Sequence, residues 1–263
     1  MRIKIYGAMG GVPIHMPGKS AYGINSTCFG LIYEDDLLVL DAGTGIALLN
    51  NEPDIEHLDV VLGHLHFDHL IGLPRLNRLF QKNSITFHTI SRSDQTLEEQ
   101  ILGPFKPPYW PVPLANCPVL TNELFVGKTS IVSGFNVTPF LAEHPDDTTS
   151  FVITRDNKKI VYMLDNEIQL MSSDKYEKLV EYCKDADLLI YDSAYTSEDY
   201  IGKEGFGHGT VTEGKKLYTD SNSKCIIFAH FDALYTDEKI DSMKQELTGI
   251  NYIFAEDGLE LEI

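Results

Sequence analysis

Short apolar runs rich in β-branched residues recur along the chain, marked off by Gly, Pro and Asp. The opening, residues 1–6, alternates polar and apolar positions as a half-buried strand does. Further strands are predicted at 27–33, 37–40, 58–63, 85–90, 135–141, 150–154, 159–164, 187–191, 223–228, 251–254 and 259–263. Apolar side chains at helical spacing predict helices over 69–81, 95–102, 172–183, 211–218 and 237–247. The first of these carries Leu70, Leu73, Leu76, Leu79 and Phe80. Residues 155–158 close a hairpin between two of the strands. Two stretches lack any such period. Residues 7–27 carry Gly7, Gly10, Gly11, Pro13, Pro17, Gly18 and Gly23 and read as a long loop, with His15 facing solvent. Residues 103–113 contain five prolines, which rule out regular structure. There Tyr109 and Trp110 either stack on a flat substrate group or pack on the core beneath the loop. No linker, charge block or internal repeat divides the chain, so residues 1–263 read as one domain.

Composition narrows the class. A 43% hydrophobic share supports a sizeable core, and no run of eighteen apolar residues is present to cross a membrane. The opening strand lacks the apolar core of a signal peptide. Cys28, Cys117, Cys183 and Cys225 are widely spaced with no C-x-x-C, which suits a reducing cytoplasm. The net charge of −18 repels long nucleic acid, whose binding needs Lys and Arg against the phosphates. A small anionic substrate can still bind where metal ions reverse the local field.

The densest chemistry is His64-Leu65-His66-Phe67-Asp68-His69, four candidate metal ligands in six residues, on the turn between a buried strand and a predicted helix. Imidazole and carboxylate are the ligands that zinc and similar ions take from protein. The stretch has the HxHxDH pattern of the metallo-β-lactamase superfamily, and the chain resembles that family over nearly its whole length. The resemblance implies a four-layered αβ/βα sandwich with two divalent metal ions, zinc first and manganese or iron as alternatives, at the sheet edges. Carried over residue by residue, it places His64, His66 and His144 on the first metal, Asp68, His69 and His230 on the second, and Asp165 between them. Asp68 would also orient a metal-bridging hydroxide aimed at the substrate. Asp41, in a turn resembling the family's D-x-G, is read as a structural carboxylate that satisfies backbone N–H groups.

The superfamily hosts several hydrolases, so fold alone does not choose among them. His208 in Gly-His-Gly-Thr resembles the Gly-His-Ser-Thr of ribonuclease Z and related phosphodiesterases, and Asp192 sits where those enzymes carry the carboxylate that orients this histidine. Such a pair can hold a phosphoryl oxygen and protonate a leaving alkoxide. Gly209 departs from the pattern by removing a hydroxyl able to cap the helix or touch phosphate. Ribonuclease Z proper also carries a long flexible arm after its third histidine. Here only 21 residues separate His144 from Asp165, and 27 separate Asp165 from Asp192. The expectation is therefore a phosphodiesterase acting on a small diester such as a cyclic nucleotide. A thioester or lactone hydrolase of the same fold and a non-catalytic, metal-stabilised binding protein are the alternatives. Homodimers are common among similar proteins, and the sequence itself shows no interface.

Overall fold

Strand residues alternate in direction, so a strand with one apolar face needs one covering layer and a strand apolar on both faces needs two. Both kinds occur in the computed structural model, which describes residues 1–51, 57–76, 84–111, 114 and 119–263. One seven-stranded sheet runs in the order β14 (Glu260–Glu262), β1 (Arg2–Gly7), β2 (Cys28–Tyr33), β3 (Asp36–Leu40), β4 (His57–Val61), β5 (Ser84–Thr89) and β6 (Val119–Glu123). The other runs β13 (Tyr252–Phe254), β12 (Ile226–Ala229), β11 (Leu188–Asp192), β10 (Lys158–Met163), β9 (Thr149–Arg155), β8 (Phe135–Leu141) and β7 (Ser130–Val132). Each sheet is half antiparallel and half parallel. The switch falls at β3–β4 in the first and at β10–β11 in the second.

The sheets face each other across a core that includes Ile3, Phe29, Leu40, Phe135, Phe151 and Ile190. The outer face of the second sheet, with Val161, Leu189 and Phe228, is covered by three helices: α2 (Ser173–Cys183), α3 (Val211–Asp220) and α4 (Asp237–Met243). The outer face of the first, with Val39, Val60 and Phe87, is covered by a 3₁₀ helix at Thr44–Asn51 and by α1 (Leu97–Leu102). The result is the expected αβ/βα layering. In the parallel half of the second sheet Ile160 and Tyr162 enter the central core while Val161 and Met163 face the helices. Their run is therefore continuously apolar rather than alternating. The helix starts are locally encoded: Ser172, Thr210 and Thr236 each accept a backbone N–H three residues on, and Thr96 and Glu99 form a capping box.

Some elements differ from the sequence expectation. In place of the start of a helix over 69–81 there are two 3₁₀ turns, Phe67–His69 and Leu73–Arg75. Pro74 has no N–H to give to a helix, and Gly72 is pressed so closely on Gly43 that a Cβ would lie 2.0 Å from its carbonyl oxygen. Leu79, Phe80 and Gln81, together with Val112, Pro113 and Cys117, lie outside the described residues. The last predicted helix ends early, at Met243, and continues as a 3₁₀ turn over Lys244–Glu246. Strands β6 and β7 are additions: β6 is mostly exposed and polar, and β7 has only three residues. The two aromatic residues of the proline-rich stretch part company, with Trp110 packing on the outer core and Tyr109 80% exposed. Among the described residues no helix is long and apolar enough to cross a membrane.

Phe151 is fully buried between the sheets. Replacing it with Ala should destabilise the protein by about 3–5 kcal/mol, measured as a lower urea midpoint at unchanged m-value.

Candidate metal centre and active site

Most residues of the site stand just beyond strand ends. His64 to His69 follow β4, His144 follows β8, Asp165 follows β10, Asp192 ends β11 and His230 follows β12. Three strand-end residues at the site, Asp41, Asp165 and His230, have left-handed backbones with φ of 59°, 56° and 63°. Asp and His are among the few residue types that tolerate this region. These kinks turn the chain out of the sheet and aim the side chains across the gap between the two sheets. Two glycines permit the close approach: a Cβ at Gly10 would lie 2.5 Å from the His230 ring, and one at Gly207 would lie 2.0 Å from His144 Nδ1.

The structure brings together all seven residues named above as metal ligands. One ligand atom from each of His64, His66 and His144 lies within 4.8 Å of the others, and the same holds for Asp68, His69 and His230. Asp165 stands between the two sets. Its Oδ1 is 3.9 Å from both His64 Nε2 and His144 Nε2. Its Oδ2 is 3.0 Å from His69 Nε2 and 3.4 Å from His230 Nε2. Asp68 Oδ2 lies 3.5 Å from His69 Nε2 and 3.3 Å from His230 Nε2, and it accepts the backbone N–H of Gly11 at 2.8 Å.

Groups on the far side of three of the rings, His66, His144 and His69, fix their orientation. His66 Nε2 bonds to Asp146 at 3.1 Å, which leaves Nδ1 to face His144 Nε2 at 3.2 Å. His144 Nδ1 donates to the Gly207 carbonyl at 2.8 Å. With both far nitrogens engaged as donors, lone pairs face each other across that gap. His69 Nδ1 lies 2.8 Å from Asp41. Asp41 also accepts the Gly63 N–H at 2.8 Å and the Tyr162 hydroxyl at 2.6 Å, the structural part expected of it.

Electrostatics act differently on the two sets of imidazoles. Burial pushes the His64 and His144 imidazoles down toward the neutral form that binds metal. Burial opposes ionisation of Asp165, but His230, His69 and His64 overcome it and hold the carboxyl well below its usual range. Asp68 is likewise held low by His69 and His230 against the effect of burial. At His69, burial is outweighed by Asp165, Asp41 and Asp68, which raise it. His64 Nε2, His69 Nε2, His230 Nε2 and Asp165 Oδ2 are all buried without a hydrogen-bond partner. Leaving four such atoms unmet costs free energy at each. A pair of divalent cations would meet them all, and the imidazole–carboxylate donor set fits zinc, manganese or iron.

Beside the cluster, His208 is stacked on His230 at 5.2 Å between ring centroids and meets His144 edge-on at 5.2 Å. Its Nδ1 bonds to Asp192 Oδ2 at 2.8 Å and lies 3.7 Å from Asp165 Oδ1. Asp192 is fully buried and accepts the backbone N–H groups of Asp165 and Ala194 at 3.0 and 2.9 Å. Burial would lower the His208 pKa, but Asp192 outweighs it and raises it to about 9. The glycine at 209 also has a reason in this chain. A Cβ there would lie 2.7 Å from the Tyr191 hydroxyl and 2.8 Å from the Asp192 carbonyl oxygen, so serine has no room. Sequence reasoning missed Gly11 and Tyr162 as contributors. Both come from segments whose local pattern carries no chemical signal.

Two packed αβ layers with a histidine–aspartate cluster at their strand ends define a metal-dependent hydrolase. Residues 37–231 match the family model described as "Beta-lactamase superfamily domain", and the chain belongs to that family. It is similar to ribonuclease Z of Haloarcula marismortui, 21% identical with 100% of this chain and 97% of the relative covered. It is also similar to ribonuclease Z of Metallosphaera sedula, 22% identical over 90% of each. Among solved structures, the metallo-β-lactamase fold protein YhfI from Bacillus subtilis superposes with a TM-score of 0.75 at 14% identity, covering 99% of this chain and 98% of its own. A diphosphatase from the PhnP family gives 0.71 at 14% identity over 100% and 97%. The short form of human tRNase Z gives 0.69 at 18% identity over 100% and 99%.

Chelator-stripped protein titrated with zinc should take up about two equivalents and gain about 2.7 kcal/mol of stability for each site held at 100 times its Kd. The His230→Ala variant should retain about one equivalent, counted by elemental analysis after gel filtration.

Proposed function

We propose that this chain is a phosphodiesterase that cleaves a small diester, such as a cyclic nucleotide, with His208 as leaving-group acid and phosphate ligand. The observation that carries the reading is the Asp192–His208 pair set against the candidate metal cluster. His64, His66 and His144 would hold one ion, Asp68, His69 and His230 the other, and Asp165 would lie between them. When bound, the ions supply Lewis-acid activation of water and neutralise phosphoryl charge. Zinc is the first choice.

The chain's own residues do the rest. The Asp192 carboxylate takes the Nδ1 proton of His208 in a hydrogen bond and fixes the ring. The opposite nitrogen is then free to bond a phosphoryl oxygen and pass a proton to the departing alkoxide. The ring is 19% exposed, enough to be reached from solvent. Asp68, tethered by Gly11, orients the attacking water. An alkoxide needs that proton more than a thiolate does, so the pair favours phosphoester over thioester cleavage.

Substrate size rests on charge and topology. The net charge of −18 opposes a long polyanion. The interval from His144 to Asp192 is taken up by β9, β10, a 3₁₀ turn, α2 and β11 rather than an extended arm. A second reading, cleavage of RNA, is favoured by the full-length similarity to proteins named ribonuclease Z. A cytoplasmic location and a homodimer are further parts of the proposal, supported by the dispersed cysteines and by the habits of similar proteins.

Metal-loaded protein should hydrolyse bis(p-nitrophenyl) phosphate, lose the activity to chelator and regain it with zinc or manganese. In a panel of cyclic nucleotides, linear diesters and an RNA with a 3′ extension, the small diesters should be the better substrates. No turnover of any member by fully loaded protein would refute the phosphodiesterase reading, and cleavage of the RNA alone would favour the second. His208→Ala should lower kcat on an alkyl diester roughly 10²–10⁴-fold while bound metal stays constant. A thioester hydrolase would show no such loss.

A further inference from the structure

One buried acid near the site has no place in the chemistry above. Glu167, two residues after Asp165, is 1% exposed. Its carboxylate accepts three hydrogen bonds: from the Tyr200 hydroxyl at 2.6 Å, from the Gly205 N–H at 2.9 Å and from the Gly207 N–H at 2.7 Å. Gly205 also lies 3.0 Å from the second oxygen. The backbone N–H of Glu167 donates to the carbonyl of Glu143, the residue before His144, at 2.9 Å.

These contacts tie three motifs together. The turn that Glu167 grips leads directly into His208. The same turn supplies the Gly207 carbonyl that accepts from His144 Nδ1. Gly205 and Gly207 both have left-handed backbones, with φ of 89° and 88°. Two N–H groups converge from such a turn as they do in an anion-binding nest, and here the protein's own carboxylate fills it. A carboxylate brings acceptors only and suits three donors, whereas an amide would turn an NH₂ group against one of them. Exposed Ile201 and Phe206 stand on the gripped segment, so the loop carries little apolar burial of its own to hold it in place.

We infer that Glu167 is a positioning residue: it clamps the 205–207 turn so that His208 faces the cluster and His144 keeps the acceptor for its far nitrogen. The inference rests on the reading of His208 as leaving-group acid, and its test has one arm that does not depend on activity. The Glu167 carboxylate bonds to Tyr200, Gly205 and Gly207 rather than to His208 or to a residue of the cluster. Removing it therefore acts through two imidazoles.

The experiment compares zinc-loaded wild type with Glu167→Ala, Glu167→Gln and Tyr200→Phe. Rates are measured on diphenyl phosphate, whose leaving group is the more basic, and on bis(p-nitrophenyl) phosphate, whose leaving group departs with less help. Glu167→Ala should lose roughly 10–100-fold in kcat on diphenyl phosphate and clearly less on bis(p-nitrophenyl) phosphate, with KM and zinc content near wild type. Glu167→Gln and Tyr200→Phe should fall between, and they carry the test if the alanine variant does not fold. Independently, the downfield imidazole N–H resonances of His208 and His144, assigned through their alanine variants, should broaden or exchange faster when Glu167 is lost, while that of His69, held by Asp41, persists. Intact resonances with unchanged leaving-group dependence would overturn the inference. So would an equal loss on both esters accompanied by loss of zinc. If wild type turns over neither ester, the phosphodiesterase reading fails, and the imidazole resonances alone decide whether Glu167 positions the two rings.

Discussion

A buried carboxylate whose two oxygens face different sets of imidazoles is the constraint on which the rest of this structure depends. Asp165 Oδ1 looks toward His64 and His144, and Oδ2 toward His69 and His230. Taking this group and Asp68 out of water is expensive unless positive charge joins them. Buried atoms of His64, His69, His230 and Asp165 have no hydrogen-bond partner, a lack that a pair of divalent cations would make good. The fold supplies the geometry by ending β4, β8, β10 and β12 at one edge of the sandwich. Acids and imidazoles from distant parts of the chain therefore meet there on rigid elements.

That convergence is held by backbone and hydrogen-bond devices outside the cluster. Left-handed residues at Asp41, Asp165 and His230 redirect the chain at the strand ends. Such conformations cost of order 1–3 kcal/mol each and persist where surrounding contacts enforce them. His230 N–H bonds to Ala8 and Asp165 N–H to Asp192. Four of the rings are then aimed by what their far nitrogens touch: Asp146 for His66, Asp41 for His69, Gly207 for His144, Asp192 for His208. Partners of this kind set tautomer and orientation and are as much a part of a metal site as its ligands. In a superfamily whose fold hosts many reactions, the proposed phosphodiesterase reading rests on the Asp192–His208 pair.

Legibility from sequence followed the range of the physics involved. The run 58–63 and the hairpin through 155–158 could be read because side-chain alternation and turn chemistry act over a few residues. The caps at Thr96, Ser172, Thr210 and Thr236 act over the same short range. The HxHxDH cluster stood out because its candidate ligands crowd into six positions, and the later candidates because each follows a strand where the family resemblance implies a ligand. The helix expected over 69–81 failed at its described start, where Gly72 meets Gly43 and Pro74 offers no N–H. β6 stayed hidden because a mostly exposed, polar edge strand has no apolar period to detect.

By itself, then, the sequence determined the order of strands and helices and the donor atoms available at each strand end, since these follow from covalent neighbours and local periodicity. Only the tertiary structure decided that Tyr191 leaves no room for a side chain at 209, that Gly11 reaches Asp68, and that Glu167 grips the turn before His208. Those contacts join residues 18 to 57 positions apart. No local period encodes them, and they exist only once two sheets have closed on each other.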